Sequence, residues 1–116
     1  MKKFSAALVL MMLMINISFA QEIDPKFEKQ DDLVKATYYY DNGSIKEVGY
    51  FKDEKLHDQW ISYNKEGNIK VVAMYNNGKK EGKWYLVGDD VVKEVTYESN
   101  KIVKVEEVEQ LDMSFI

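Results

Sequence analysis

The sequence predicts an all-β protein: an antiparallel meander of consecutive β-hairpins that forms one elongated, curved sheet of about seven strands. Runs rich in β-branched and aromatic residues recur at intervals of about 8–12 residues, with Asn, Asp and Gly between them. A fixed period is also present, because Trp60 and Trp84 lie 24 positions apart, as do Gly43 and Gly67. Such a period indicates one copied structural unit. No window shows a sustained helical period, although one short helical turn is possible at 105–111.

The first 20 residues have the three-part pattern of a secretory signal peptide. Lys2 and Lys3 form the positive start, an apolar run follows, and small residues precede the expected cleavage after Ala20. A transmembrane anchor is the alternative, but the run is short for a span, which needs about 20 apolar residues. We therefore expect residues 1–20 to be removed and the chain to be exported, to the periplasm or the medium, with no membrane span after cleavage.

Composition limits the partners of the exported chain. Its net charge changes from −4 to −6 when Lys2 and Lys3 are removed, and a negative surface repels nucleic acid and anionic lipid. The chain has no arginine, the side chain best suited to a bidentate grip on phosphate. It also has no cysteine, which excludes disulfides and a lipid anchor on an N-terminal cysteine.

Four segments follow from these patterns. Residues 1–20 are the signal peptide, and 21–33 are a polar lead-in, either loosely ordered or docking Ile23 or Phe27 on the sheet. Residues 34–107 are the repeat domain, and 108–116 are a C-terminal tail that either packs on the sheet or trails free. The predicted strands are residues 34–40, 45–51, 57–64, 68–75, 82–87, 90–97 and 101–107.

The repeat predicts which residues are structurally equivalent. When the copies are aligned, equivalent residues form columns. These columns are Ile45, Ile69 and Val92; Val48, Val72 and Val95; Tyr50, Met74 and Tyr97; and the small residues Gly49, Ala73 and Thr96. Ile45 and Val48 are three positions apart, so alternation places them on opposite faces. A single hairpin is marginal in water, and copies laid side by side are expected to share an apolar core. The alternating Lys and Glu residues are expected to form a solvated face.

The segment 75–84, YNNGKKEGKW, and its earlier counterpart 51–60, FKDEKLHDQW, resemble the bacterial variant of the MORN repeat found in antitoxin-like proteins. The resemblance covers about residues 34–104 and implies an array of antiparallel hairpins without catalytic chemistry. The first copy departs from the pattern, since Glu54 and Asp58 stand where the second has Gly78 and Gly82. Glycine adopts a positive φ freely, so the departure places the tight turns of the first copy in question.

No constellation of residues predicts an enzyme. A phosphate-binding loop needs glycines between a strand and a helix, and here the glycines lie singly at turns or in strands. The chain has one histidine, His57, and its position just after a turn indicates a solvent-facing turn residue rather than a ligand. No metal or cofactor site is expected. Asp89 and Asp90 are adjacent on the chain and would point to opposite faces of a strand, which does not make an acid–base pair.

The aromatic residues are the only candidates for a site: a contact surface of Trp60, Tyr63, Trp84 and Tyr85, together with Tyr38 to Tyr40, that would stack on a sugar or a peptide. The alternative is that both tryptophans are equivalent core residues, each packing across its own hairpin. We expect a non-catalytic repeat module for interaction with a protein or a cell-envelope component. An antitoxin or immunity-type protein that neutralises a cognate partner by binding is the other hypothesis.

Overall fold

The computed structural model describes residues 22–108, which form one antiparallel sheet and contain no helix. The strands are β1 (Lys26–Gln30), β2 (Leu33–Tyr39), β3 (Ile45–Lys52), β4 (Lys55–Tyr63), β5 (Ile69–Asn76), β6 (Lys79–Lys80), β7 (Gly82–Val87), β8 (Val92–Glu98) and β9 (Lys101–Val108). The strands follow one another across the sheet in chain order, and the sheet does not close. The predicted curved hairpin meander is confirmed, with nine strands instead of seven. The signal peptide predicted at 1–20 and the tail beyond Val108 lie outside the described residues.

Two strands account for the difference from the predicted number. β1 lies in the polar lead-in, where Phe27 pairs with Ala36 of β2. Its sequence, KFEKQ, offers one apolar side chain, so hydrophobic patterning did not reveal it. β6 is two residues long and pairs with β5 in line with β7, so the sheet is eight positions wide. The helical turn considered at 105–111 is wrong over residues 105–108, because β9 continues to Val108.

Strand register assigns each side chain to one of two faces, because directly paired residues share a face. One face carries Trp60, which lies between Gly49 and Ala73, and Trp84, which pairs with Val95. We call it the tryptophan face. The other carries Val48, Ile61, Val72 and Tyr85, which pair in sequence across β3, β4, β5 and β7. We call it the valine face.

A copied irregularity corrects the predicted placement of Ile45. The register shifts between Tyr38 and Tyr39 in the β2–β3 hairpin, and again 24 positions later between Ser62 and Tyr63. One extra residue in β3 reverses the alternation, as a β-bulge does. Ile45 therefore pairs with Tyr39 on the valine face, the face that also carries Val48, and the expectation that these residues lie on opposite faces is wrong.

The third copy is shorter than the repeat columns assumed. Trp60 pairs with Ala73, 13 positions later, whereas Trp84 pairs with Val95, 11 positions later. Hairpin β7–β8 has no bulge, and its connection is shorter by one residue. Val95 thus occupies the place of Gly49 and Ala73 rather than that of Val48 and Val72, so the predicted third members of these columns are wrong.

The turns repeat more faithfully than their sequences. Asp53 and Glu54 have φ values of 48° and 65°, and the equivalent Asn77 and Gly78 have 48° and 83°. Asp58 has a φ of 67°, where Gly82 has 76°. The first copy therefore keeps the tight turn geometry, although its residues pay a steric cost that glycine avoids.

Backbone hydrogen bonds connect the Asn77–Gly78 turn and the Ser99–Asn100 turn to strand residues that follow the preceding turn. The amide of Gly78 donates to the carbonyl of Leu56 at 2.7 Å, and the amide of Asn100 donates to the carbonyl of Lys80 at 3.0 Å. Beside them, His57 Nδ1 accepts from the amide of Asn77 at 3.2 Å, and Glu81 Oε2 accepts from the amide of Ser99 at 3.0 Å. The copies are thus joined at the turns as well as along the strands.

Burial is divided between the two faces. Ala73, Trp84 and Val95 form the buried cluster of the tryptophan face, and Ile61 and Val72 are buried on the valine face. No large side chain among residues 22–108 is fully buried, which is the expected result for a single curved layer. Contacts between aromatic rings on the tryptophan face add to this packing.

Candidate functional site

The tryptophan face carries two aromatic clusters, one in each copy of the repeat. In both copies the tryptophan contacts the aromatic residue nine positions earlier. The ring centroids of Phe51 and Trp60 are 5.6 Å apart, and those of Tyr75 and Trp84 are 5.2 Å apart, each pair in an edge-to-face arrangement. This geometry is the favourable one for aromatic pairs. Each tryptophan therefore packs across its own hairpin.

The second cluster is closed. Trp84 is 9% exposed, and its indole Nε1 donates to the carbonyl of Met74 at 2.9 Å. Tyr97 packs on its other side with a centroid distance of 5.0 Å, and the Lys80 ammonium lies 5.0 Å from the indole centroid. The cation and the two tyrosines cover the ring, so Trp84 offers little surface to a ligand.

The first cluster is more open and extends to the sheet edge. Trp60 lies flat on Gly49 and is half-buried, and Tyr38 packs beside it at a centroid distance of 6.0 Å. Phe27 of β1 continues the row, 6.2 Å from Tyr38 in an edge-to-face contact. Phe27 is 59% exposed, so the row ends in an accessible aromatic ring.

The four predicted contact residues do not form one surface. Trp60 and Trp84 are on the tryptophan face, whereas Tyr63 pairs with Ile69, and Tyr85 with Val72, on the valine face. Burial and Glu94 raise the pKa of Tyr85, and the carbonyl of Tyr63 accepts a hydrogen bond from the Tyr40 hydroxyl at 2.7 Å. Both tyrosines are half-buried.

A cavity of about 350 Å³ opens where the first aromatic cluster meets two hairpin turns. We call it the Phe27 pocket: Phe27, Val34 and Phe51 form its apolar floor, and Asp32, Asp53 and Glu54 form its rim. Asp32 comes from the β1–β2 turn, and the other two carboxylates come from the β3–β4 turn. Lys52 lies 3.5 Å from Asp32 and offsets part of the charge.

The pocket combines residues that sequence reasoning does not place together. The sequence pattern puts Phe27 in the lead-in and treats Asp53 and Glu54 only as turn residues. The pairing of Val34 with Phe51 brings the two turns to the same end of the sheet. An aromatic floor beneath carboxylates is suited to a cationic group with an apolar stem, which gains contact with the rings and with the negative rim.

A second open cavity, of about 500 Å³, lies at the β7–β8 turn between Lys70 and Lys93. Its rim contains two lysines and the two carboxylates Asp89 and Asp90, so its charges favour neither a cationic nor an anionic ligand.

The described part of the chain contains no group of three or more His, Asp or Glu residues arranged to hold a metal ion. Within residues 22–108 no helix is long and apolar enough to cross a membrane. His57, the single histidine, accepts a backbone hydrogen bond between two turns, a role that its position in the sequence did not indicate.

Known proteins were compared with the chain at three levels. The chain matches no family model, no curated protein and no solved structure, so the resemblance to the bacterial MORN-repeat variant rests on its residues alone.

Proposed function

We propose that the protein is an exported, non-catalytic binding module of the MORN-like type that holds a basic segment of a protein or envelope component. The Phe27 pocket carries this proposal, because it joins an exposed aromatic floor to a rim of three carboxylates. A lysine side chain fits such a site: its methylene stem lies on the rings, and its ammonium group meets the carboxylates.

The charge of the chain supports a basic partner. The net charge of −4 attracts a cationic segment at long range, and removal of the signal peptide would strengthen the attraction. The apolar floor supplies the part of the binding energy that salt does not screen. Binding is therefore expected to weaken with ionic strength without being lost.

The proposal includes no catalysis, which is consistent with the sequence. The chain has no cysteine, and its one histidine is engaged with the backbone of Asn77. Export, to the periplasm or the medium, rests on the pattern of residues 1–20, and cleavage after Ala20 can be checked by sequencing the N-terminus of the secreted chain.

The binding site can be tested by titration with a lysine-rich peptide while tryptophan fluorescence is recorded, since Trp60 contacts Phe51 on the pocket floor. We expect saturable binding, and at least roughly tenfold weaker binding for a peptide with glutamine at every lysine position. Phe27→Ser should weaken binding by a similar factor, because it removes the exposed ring of the floor. Leu86→Ser is the matched control, since Leu86 is an exposed apolar residue elsewhere on the tryptophan face.

Equal affinity for the lysine and glutamine peptides, or equal losses in the two variants, would contradict the proposed site. A pull-down from envelope extract distinguishes the immunity-type hypothesis. A toxin-neutralising protein should recover one dominant partner in stoichiometric amount, and Phe27→Ser should leave that recovery unchanged if the partner binds elsewhere.

A further inference from the structure

The last strand of the sheet, β9, is long and almost uncovered. It pairs with β8 on one side, and no other strand of residues 22–108 lies on its outer side. Seven of its eight residues are exposed. Ile102, Val103 and Val105 are 58%, 51% and 56% exposed, respectively, although they are β-branched residues in a regular strand. An edge of this kind is a template for pairing with another strand.

The sequence of β9 is complementary to itself in one antiparallel register. When Val105 lies opposite Val105 of a second copy, Lys104 lies opposite Glu106 of that copy, and Glu106 lies opposite its Lys104. Opposite charges placed directly across a strand pair are stabilising, and like charges are destabilising. A lysine on an edge strand usually discourages pairing with another strand, but in this register each Lys104 lies opposite a glutamate.

The other edge of the sheet, β1, offers a shorter strand with fewer exposed apolar side chains. β1 is five residues long, and pairing with itself about its centre would place Glu28 opposite Glu28. The register centred on Phe27 would place Lys26 opposite Glu28, but Phe27 is the single apolar side chain of this strand and already packs against Tyr38. Charge complementarity alone therefore does not distinguish the two edges, and the choice of β9 rests on its eight-residue length and its three exposed β-branched residues.

We propose that two copies of the chain associate antiparallel along β9, about a two-fold axis at Val105, to form one continuous sheet. The contact is isologous, so it closes with two copies and does not propagate. It concerns a different edge from the Phe27 pocket and does not depend on the function proposed for that pocket.

Both faces of the sheet favour this register. On the valine face, Glu106 lies opposite Glu94 of β8, an unfavourable pair of like charges. Lys104 already bridges Glu106 at 2.9 Å within β9, and Lys104 of a second copy would approach Glu106 from its free side. On the tryptophan face, Val95 and Val105 are paired, and the second copy would continue this apolar row with its own Val105 and Val95, while Val103 would lie opposite Glu107.

Sedimentation velocity of the chain, in the processed form that an exporting host produces, tests the proposal from micromolar to millimolar concentration. We expect a concentration-dependent equilibrium between monomer and dimer, since a single pair of edge strands buries less surface than a standard interface. Lys104→Glu and Glu106→Lys should each raise the dissociation constant roughly tenfold or more, because each places like charges across both symmetric pairs.

Mixing the two variants provides the decisive control. In the mixture, the carboxylate introduced at position 104 of one variant lies opposite the ammonium group introduced at position 106 of the other. A heterodimer should therefore form where neither variant forms a homodimer. The double variant Lys104→Glu/Glu106→Lys should also dimerise. Lys26→Glu, on the opposite edge, should leave the equilibrium unchanged, and far-UV circular dichroism verifies that the exposed substitutions preserve the fold.

Three results would overturn the inference. A wild-type chain that stays monomeric throughout the range excludes the dimer, whether the outer side of β9 is open or is covered by residues 109–116. A dimer that is insensitive to both charge reversals uses another surface. Open-ended assembly would indicate pairing of β9 with β1 rather than with itself.

Discussion

The first and second copies of the repeat have the same backbone conformation at their turns but different residues at the turn positions. The first copy places Asp53, Glu54 and Asp58 at positive φ, and the second places Asn77, Gly78 and Gly82 at the equivalent positions. Non-glycine residues are strained in this region of conformational space. Strand pairing with the neighbouring copies therefore imposes the turn geometry, even where the local sequence disfavours it.

The same comparison applies to the tryptophans. Trp60 lies directly on Gly49, whereas Trp84 has Ala73 at the corresponding position and is closed in by Tyr97 and Lys80. The second copy is therefore the better-packed one, and the first is the one with an accessible aromatic row and a pocket. Stability and candidate function are concentrated in different copies.

The largest expected effect separates the two tryptophans. Trp84→Ala should reduce the free energy of unfolding by about 3–5 kcal/mol, because it empties the buried cluster and removes one of the two hydrogen bonds that the Met74 carbonyl accepts. Trp60→Ala should cost less, roughly 2–3 kcal/mol, since Trp60 is half-buried. Urea unfolding followed by far-UV circular dichroism measures both. Equal losses would show that the two copies are packed alike.

A second substitution tests the contact beneath Trp60. A Cβ atom at Gly49 would lie 1.7 Å from Cε3 of Trp60, so Gly49→Ala must displace the indole. We expect a loss of about 3 kcal/mol, at the upper end of the usual cost of overpacking. The reverse change in the other copy, Ala73→Gly, should cost only about 1 kcal/mol. Near-UV circular dichroism should show whether Trp60 has moved, and an unchanged spectrum with full stability would contradict the contact.

A third substitution removes the difference between the turns. Glu54→Gly should stabilise the fold by about 1 kcal/mol, because glycine adopts the φ of 65° without strain. Gly78→Ala should destabilise it by a similar amount, since the added Cβ would meet only Lys55 Cβ, at 3.8 Å, and the backbone strain is the main cost. Thermal unfolding of both variants measures the pair, and shifts of the same sign would show that strain does not decide the turn.

Glu54→Gly also sharpens the proposed role of the first copy. The same change removes one carboxylate from the rim of the Phe27 pocket and should weaken binding of the lysine-rich peptide. A variant that gains stability and loses affinity would identify Glu54 as a strained residue retained at a binding site. Glu54→Gln is the control that removes the charge and keeps the backbone cost.

The smallest expected effect concerns pH. Burial, with smaller contributions from Glu47 and Tyr97, raises the pKa of Tyr75 above 10.0, and the first copy has Phe51 at the equivalent position. The fold favours the neutral phenol, so its contribution to stability is present below pH 10.0 and is lost as the pH rises through the raised pKa. Tyr75→Phe should reduce the alkaline loss of stability, measured by urea unfolding between about pH 9 and pH 11. An identical pH profile in the variant would contradict this origin.

The spacing of turn residues and apolar runs was sufficient to predict the meander, because each hairpin is local in sequence. Asn-Gly turns and the 24-residue offset between Trp60 and Trp84 fixed most strands and the pairing of neighbours. The bulges were not visible, since one extra residue in a strand leaves no mark in composition. They moved Ile45 to the valine face, and the shorter third copy placed Val95 with Ala73.

The candidate site was harder to predict, because face and register decide which aromatic residues meet. Sequence alone grouped Trp60 with Tyr63 and Trp84 with Tyr85, but strand positions separated by one or three residues point to opposite faces. The sequence offered Phe27 only as a residue of the lead-in that could dock on the sheet, because its contact with Tyr38 depends on the pairing of β1 with β2. The rim of the Phe27 pocket comes from two separate turns, so it can be predicted only when the strand pairing is known.

Sequential strand pairing has a kinetic consequence. Strands of the described sheet hydrogen bond only to those nearby along the chain, so opening can start at β1 or β9 and advance inwards without breaking distant contacts. Amide protons in β4 and β5 should exchange with solvent last, and those at the two ends first. Short-range topology of this kind also lowers the entropic barrier to folding, so the chain should acquire its structure quickly once the first hairpin has formed.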